Sequence, residues 1–154
     1  MGLVGLVTSR STNADCIVLS DGCAEVVEKL YQNVELNECT NLKVLQLQWE
    51  SESLVPDLMV DNVDVILATD CVYDPDLIPP LVTALDRLVT AFPQAHCFLS
   101  VAIRNPETFQ LLMDTIDSKL FKVERLEGIL DCAKFRLIHD YDPLSITILY
   151  LKRN

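Results

Sequence analysis

The sequence is short of positive charge. Twelve Lys and Arg residues face 23 Asp and Glu, a formal net charge of -11 over 154 residues. A chain this acidic is repelled by a phosphate backbone, which argues against nucleic acid as a partner. A basic protein surface suits it better, with solubility alone as the plainer reading. Also lacking is any apolar run near the ~20 residues of a membrane-spanning helix. Residues 1–7 are too few, and lack the basic start, for a secretory signal. Met1-Gly2 begins like a myristoylation signal, but Leu6 stands where that signal has Ser or Thr. No membrane partner is expected.

Metal-binding patterns are missing too. The cysteines at 16, 23, 39, 71, 97 and 132 form no C-x-x-C pair, and His96 and His139 stand apart. That argues against zinc and against any metal site. Cys16 and Cys97 lie in apolar, strand-like runs, where a thiol behaves as a small hydrophobe. Reduced thiols fit the cytosol or nucleus, and a cytoplasmic location is expected. There is no internal repeat, low-complexity tract or linker, so residues 1–154 read as one domain. The polar stretch 50–57 reads as a loop.

What is present is alternation. Apolar runs at 16–19, 42–47, 63–68, 97–103, 122–126 and 146–151 read as strands, the run at 63–68 as a fully buried one. Between them, Val26, Val27, Leu30, Tyr31 and Val34 recur at helical spacing. So do Leu77, Leu81, Leu85, Leu88 and Phe92, then Phe109, Leu112, Met113, Ile116 and Leu120. Pro75, Pro79 and Pro80 fall in the approach and first turn of the second helix, where a missing N–H is tolerated. Strand–helix alternation predicts an α/β domain with a largely parallel sheet.

Open parallel sheets bind ligands beyond the carboxyl ends of their strands. Asp21 follows the first strand, Gln48 and Trp49 the second, Asp70 the third, and Arg104 and Asn105 the fourth. The four strand ends together point to a site. The chain opens Met1-Gly2-Leu3-Val4-Gly5, and Gly-x-x-Gly is the second half of a nucleotide-type glycine loop. Asp21 lies nineteen residues beyond Gly2, near the spacing at which an acid binds ribose hydroxyls in dinucleotide folds. Ser20 and Asp21 equally suit a helix cap.

Four blocks, "IVLSDGCAEVVEKLYQNV", "VLQLQWES", "DVILATDCVYDPDLIPPLV" and "VAIRNPETFQLLM", together resemble the seven-β-strand protein-lysine methyltransferases. The family's Asp-x-x-Tyr motif is here Asp70-Cys71-Val72-Tyr73. The segment "RNPETFQLL" looks most like the elongation factor 2 lysine methyltransferase branch. The resemblance implies a Rossmann-like class I methyltransferase sheet with helices on both faces. It also implies S-adenosylmethionine as cofactor and methyl transfer to a lysine of a protein substrate, with elongation factor 2 as the expected partner. By position it implies that Gly2, Gly5, Asp21, Trp49 and Thr69 bind the cofactor. Asp70 and Tyr73 would stand beside the transferred methyl and the incoming lysine.

Plainer roles stand beside these. Trp49 suits a core aromatic, Tyr73 a cover for the next helix, and Arg104 a pair with a nearby acid. The family also has a further N-terminal region, a central first strand and earlier glycines. None precedes Gly2, so a shortened domain that binds cofactor poorly is expected. Gln48 stands where relatives often have an acid, and Thr69 where they often have Ala. The rival readings are methylation of another protein, such as a chaperone, and a non-catalytic fragment or partner-binding module.

Overall fold

A computed structural model describes residues 1–119, 121–126 and 146–153. Leu120, Cys132, His139 and the segment 127–144 lie outside the described residues. The chain groups into two compact units, Met1–Val60 and Asp61–Asn154.

In the first unit, helix α1 (Leu3–Ser11) precedes strand β1 (Ile17–Asp21), helix α2 (Ala24–Leu36), strand β2 (Leu42–Gln46) and a short helix α3 (Leu54–Asp57). β1 and β2 pair in parallel, Ile17 opposite Leu42 through Asp21 opposite Gln46. Helical periodicity in α2 puts Val27 and Leu30 against Val44, with Leu19, Val26 and Val34 packed around them. Two elements were not expected. The glycine-bearing opening folds as α1, whose N-cap Gly2 adopts the left-handed conformation at φ 75°. Within the polar stretch 50–57, Leu54 is buried and starts α3. Cys16 is exposed rather than packed as a hydrophobe, because β1 begins one residue later.

The second unit runs β3 (Val65–Thr69), a 3₁₀ turn (Pro75–Leu77), α4 (Ile78–Ala91), β4 (His96–Ala102), α5 (Pro106–Asp117), β5 (Phe121–Arg125) and β6 (Ile146–Arg153). Its strands lie in the order β3-β4-β6-β5. β3 and β4 are parallel, while β6 runs antiparallel to both β4 and β5. The sheet is therefore less parallel than alternation alone predicts, since a returning final strand needs no crossover helix. Pro79 and Pro80 fall in the first turn of α4, as expected. Ile78, Leu81, Val82, Ala84, Leu85 and Val89 of α4 are buried, as are Leu112 and Ile116 of α5. Cys97, Leu99 and Val101 of β4 and Leu149 and Leu151 of β6 complete this core.

β3 departs from the sequence expectation. Of its five residues only Ala68 is buried, and Val65 and Leu67 remain 50% and 47% exposed. Its composition suits a central strand, but among the described residues only β4 pairs with it. An edge strand leaves half of such a run in water.

Cys97 behaves as a hydrophobe, and its burial pushes the thiol up from 9.0 to about 12. At about pH 8, thiol reagents are expected to label exposed Cys16 and Cys23 in the folded chain and to spare Cys97. The unfolded thiol ionises near 9, the folded one only near 12. Between those values the folded state holds the extra proton, so stability falls as pH rises. Denaturant unfolding across that window is expected to show the decline, with a shallower slope in Cys97→Ala.

Candidate active site

At the carboxyl ends of β1 and β2, backbone and amide bonds join two loops. Asp21 Oδ1 accepts from Cys23 N at 2.9 Å, turning the chain into α2. Leu47 N donates to Asp21 O at 3.0 Å. Gln46 Nε2 and Gln48 Nε2 both donate to Gly22 O, at 3.0 and 3.3 Å. Asp21, Gln48 and Trp49 are thus gathered at one end of this sheet, with Trp49 half-buried. One Asp21 oxygen serves the turn. The other has no hydrogen-bond partner among the described residues, and the residue is half-buried.

Gly5 of α1 faces β1, and the N-cap Gly2 lies against Leu30 of α2 and Leu19 of β1. A Cβ on Gly5 would lie 2.1 Å from Leu19 Cδ2, and one on Gly2 would lie 2.8 Å from Leu30 Cδ2. Their visible role is close helix packing, one of the roles glycines play in nucleotide-type loops. A polar cleft lined by Ser9, Arg10, Asn37, Glu38, Cys39, Thr40 and Asn41 lies at the opposite, amino ends of β1 and β2.

The second unit presents the Asp-x-x-Tyr turn. Thr69 ends β3, and the exposed Asp70 follows in the left-handed conformation at φ 52°. A non-glycine residue there is uncommon, though Asp tolerates it better than most. Asp70 N donates to Ser100 O at 3.0 Å, which carries the β3–β4 ladder one step further. Val72 is buried and anchors the turn, a position the sequence reading overlooked although it is the apolar residue within the motif. Tyr73 is 64% exposed, so most of its surface is open to solvent. Asp74 Oδ1 accepts from Asp76 N at 3.0 Å and starts the 3₁₀ turn.

Arg104 closes on the same carboxylate. Its Nη1 donates to Asp70 Oδ1 and its Nη2 to Asp70 Oδ2, each at 3.0 Å. The sequence offered Arg104 a nearby acid without saying which one; it is the motif aspartate. Asn105 caps α5 by accepting from Glu107 N and Thr108 N, so Arg104 sits on a fixed strand-to-helix connection.

Among the described residues, no group of three or more His, Cys, Asp or Glu is placed to hold a metal ion. Among them, too, no helix is long and apolar enough to cross a membrane.

Residues 1–122 match the family model described as lysine methyltransferase. The chain belongs to that family. It is 27% identical over 129 residues to the protein-lysine N-methyltransferase EFM3 of Chaetomium thermophilum, across 79% of this chain and 38% of that one. It is 30% identical over 125 residues to the human protein-lysine N-methyltransferase EEF2KMT, across 71% of this chain and 38% of the relative. The chain thus spans well under half the length of these curated relatives. Among solved structures, SMU.1697c of Streptococcus mutans, in complex with SAH, superposes with a TM-score of 0.61 at 8% identity. The match covers 97% of this chain and 82% of that one. The fold is the Rossmann-like class I methyltransferase fold, and S-adenosylmethionine is the methyl donor that family and fold imply. The chemistry of the donor set fits that group. Asp21 is a carboxylate of the kind that could accept from ribose hydroxyls, and the half-buried Trp49 is an aromatic of the kind that could face adenine.

Proposed function

We propose that this chain carries the catalytic residues of an S-adenosylmethionine-dependent protein-lysine methyltransferase, and that its acceptor is a lysine of elongation factor 2. One observation carries the reading most directly. The Asp-x-x-Tyr turn at the end of β3 offers a carboxylate and an exposed tyrosine at the edge where open sheets bind ligands. The choice of acceptor rests on the "RNPETFQLL" segment and on relatives named EEF2KMT and EFM3.

In this reading Asp21 binds the ribose hydroxyls, Trp49 packs on the adenine, Gly2 and Gly5 bring α1 close, and Thr69 contacts the cofactor beside the motif. When bound, the cofactor would supply an electrophilic methyl, which the lysine nitrogen would take as the S–C bond breaks and sulfur keeps its electron pair. The chain's own task is alignment of the nitrogen. A lysine ammonium has no lone pair and must first lose a proton. Tyr73 offers the ring face against which the cation can rest. Asp70 offers the acceptor that orients the amine N–H.

Calorimetric titration with S-adenosylmethionine tests the cofactor part. Weak binding is expected, and Asp21→Ala and Trp49→Ala are each expected to weaken it by about a further tenfold, the loss of one good hydrogen bond or stacking contact. Absence of binding by a chain shown to be folded would overturn the reading. Incubation with purified elongation factor 2 and labelled cofactor tests the acceptor. Transfer to another protein in its place would keep the enzyme and replace the substrate.

A further inference from the structure

We propose that Arg104 is a positioning residue that sets the plane of the Asp70 carboxylate, so that Asp70 acts as a fixed acceptor for the substrate amine. The inference rests on the functional reading above and extends it to a residue outside the Asp-x-x-Tyr motif.

Three features of the structure carry it. The fork is two-pronged: Nη1 and Nη2 each meet a different oxygen of Asp70 at 3.0 Å. A planar guanidinium paired this way fixes both the position and the rotation of the carboxylate, which a single contact does not. Both ends lie in bends just beyond paired strands. Asp70 is held by the bond from its backbone N to Ser100 O, and Arg104 N bonds Ala102 O just before the Asn105 cap of α5. The pair is also open to solvent, with Arg104 and Asp70 side chains 62% and 59% exposed. Solvent screens the charge attraction of a pair this exposed, so what the two-pronged geometry chiefly adds is a fixed orientation of the carboxylate.

The chemistry follows. Each carboxylate oxygen has two acceptor directions. Arg104 takes one on each, and the second remains for an incoming N–H. With its charge already matched by a guanidinium, Asp70 directs the amine nitrogen, and the departing proton goes to solvent.

The test uses the full chain, S-adenosylmethionine and purified elongation factor 2. Arg104→Gln is expected to lower kcat about tenfold, because misplacement of an aligning group falls on the chemical step. KM for S-adenosylmethionine is expected to stay within about twofold. Arg104→Lys is expected to recover only part of the loss, since one ammonium cannot span both oxygens. On an Asp70→Asn background, Arg104→Gln is expected to change nothing further. A second readout needs no turnover: the Arg104 Nη–H signals in nitrogen-15 NMR at low temperature are expected to be resolved and slowed in exchange in the unmodified chain, and averaged in Asp70→Asn.

A wild-type kcat in Arg104→Gln would overturn the inference and leave the function standing. So would a loss of the same size on the Asp70→Asn background, or one that follows a fall in thermal midpoint. No transfer by the unmodified chain would remove the functional reading and the inference together.

Discussion

Asp70→Asn is expected to lower methyl transfer by about 100-fold, the order of loss when a reacting group is misplaced by about 1 Å. Asparagine is the informative replacement. Position 70 sits at φ 52°, a conformation Asn adopts at least as readily as Asp, whereas Ala would add backbone strain to the loss of the carboxylate. The asparagine amide keeps the size of the side chain and one acceptor, and it loses the charge and the two-oxygen seat for Arg104. Folding should hardly change, since an exposed ion pair contributes about 0–1 kcal/mol. A thermal midpoint near that of the unmodified chain, together with the loss of transfer, separates chemistry from stability. Transfer at the original rate would mean that Asp70 does not align the amine.

Gly5→Val is expected to destabilise the first unit by about 3 kcal/mol, the upper range for forcing extra carbons into a packed contact. A Cβ alone would stand 2.1 Å from Leu19 Cδ2 and 3.2 Å from Leu19 Cγ. A single methyl can be met by a turn of the Leu19 side chain, and the gain in helix propensity from Gly to Ala, about 1 kcal/mol, offsets much of that cost. Gly5→Ala should therefore sit near neutral. Valine adds two further carbons that the Leu19 rotamers cannot all avoid. Urea unfolding of Gly5→Val, Leu19→Ala and the double variant separates the causes. If sterics decide, the double variant recovers stability relative to Gly5→Val. If it is no more stable than the sum of the two single changes, close packing against Leu19 is not what Gly5 provides.

Much of the fold can be read along the chain because its signals are local. The period of α2 and α4, the prolines opening α4 and the polar residues after each apolar run depend on neighbours within a few positions. The same locality placed Asp21, Trp49, Thr69, Asp70 and Tyr73 at strand ends. It misled at α1, where two glycines masked a helix, and at Cys16, where an apolar run suggested burial.

Contacts between distant segments were settled only by the folded chain. Arg104 and Asp70 are 34 residues apart, and their pairing follows from the register that sets Thr69 opposite Ser100. Gly5 meets Leu19 because α1 lies across β1. The insertion of β6 between β4 and β5, and the half-exposure of Val65 and Leu67, depend on which strands pair. Periodicity tells a residue which face of its own element it occupies. Pairing and register tell it what stands on the other side, and that is a property of two segments at once.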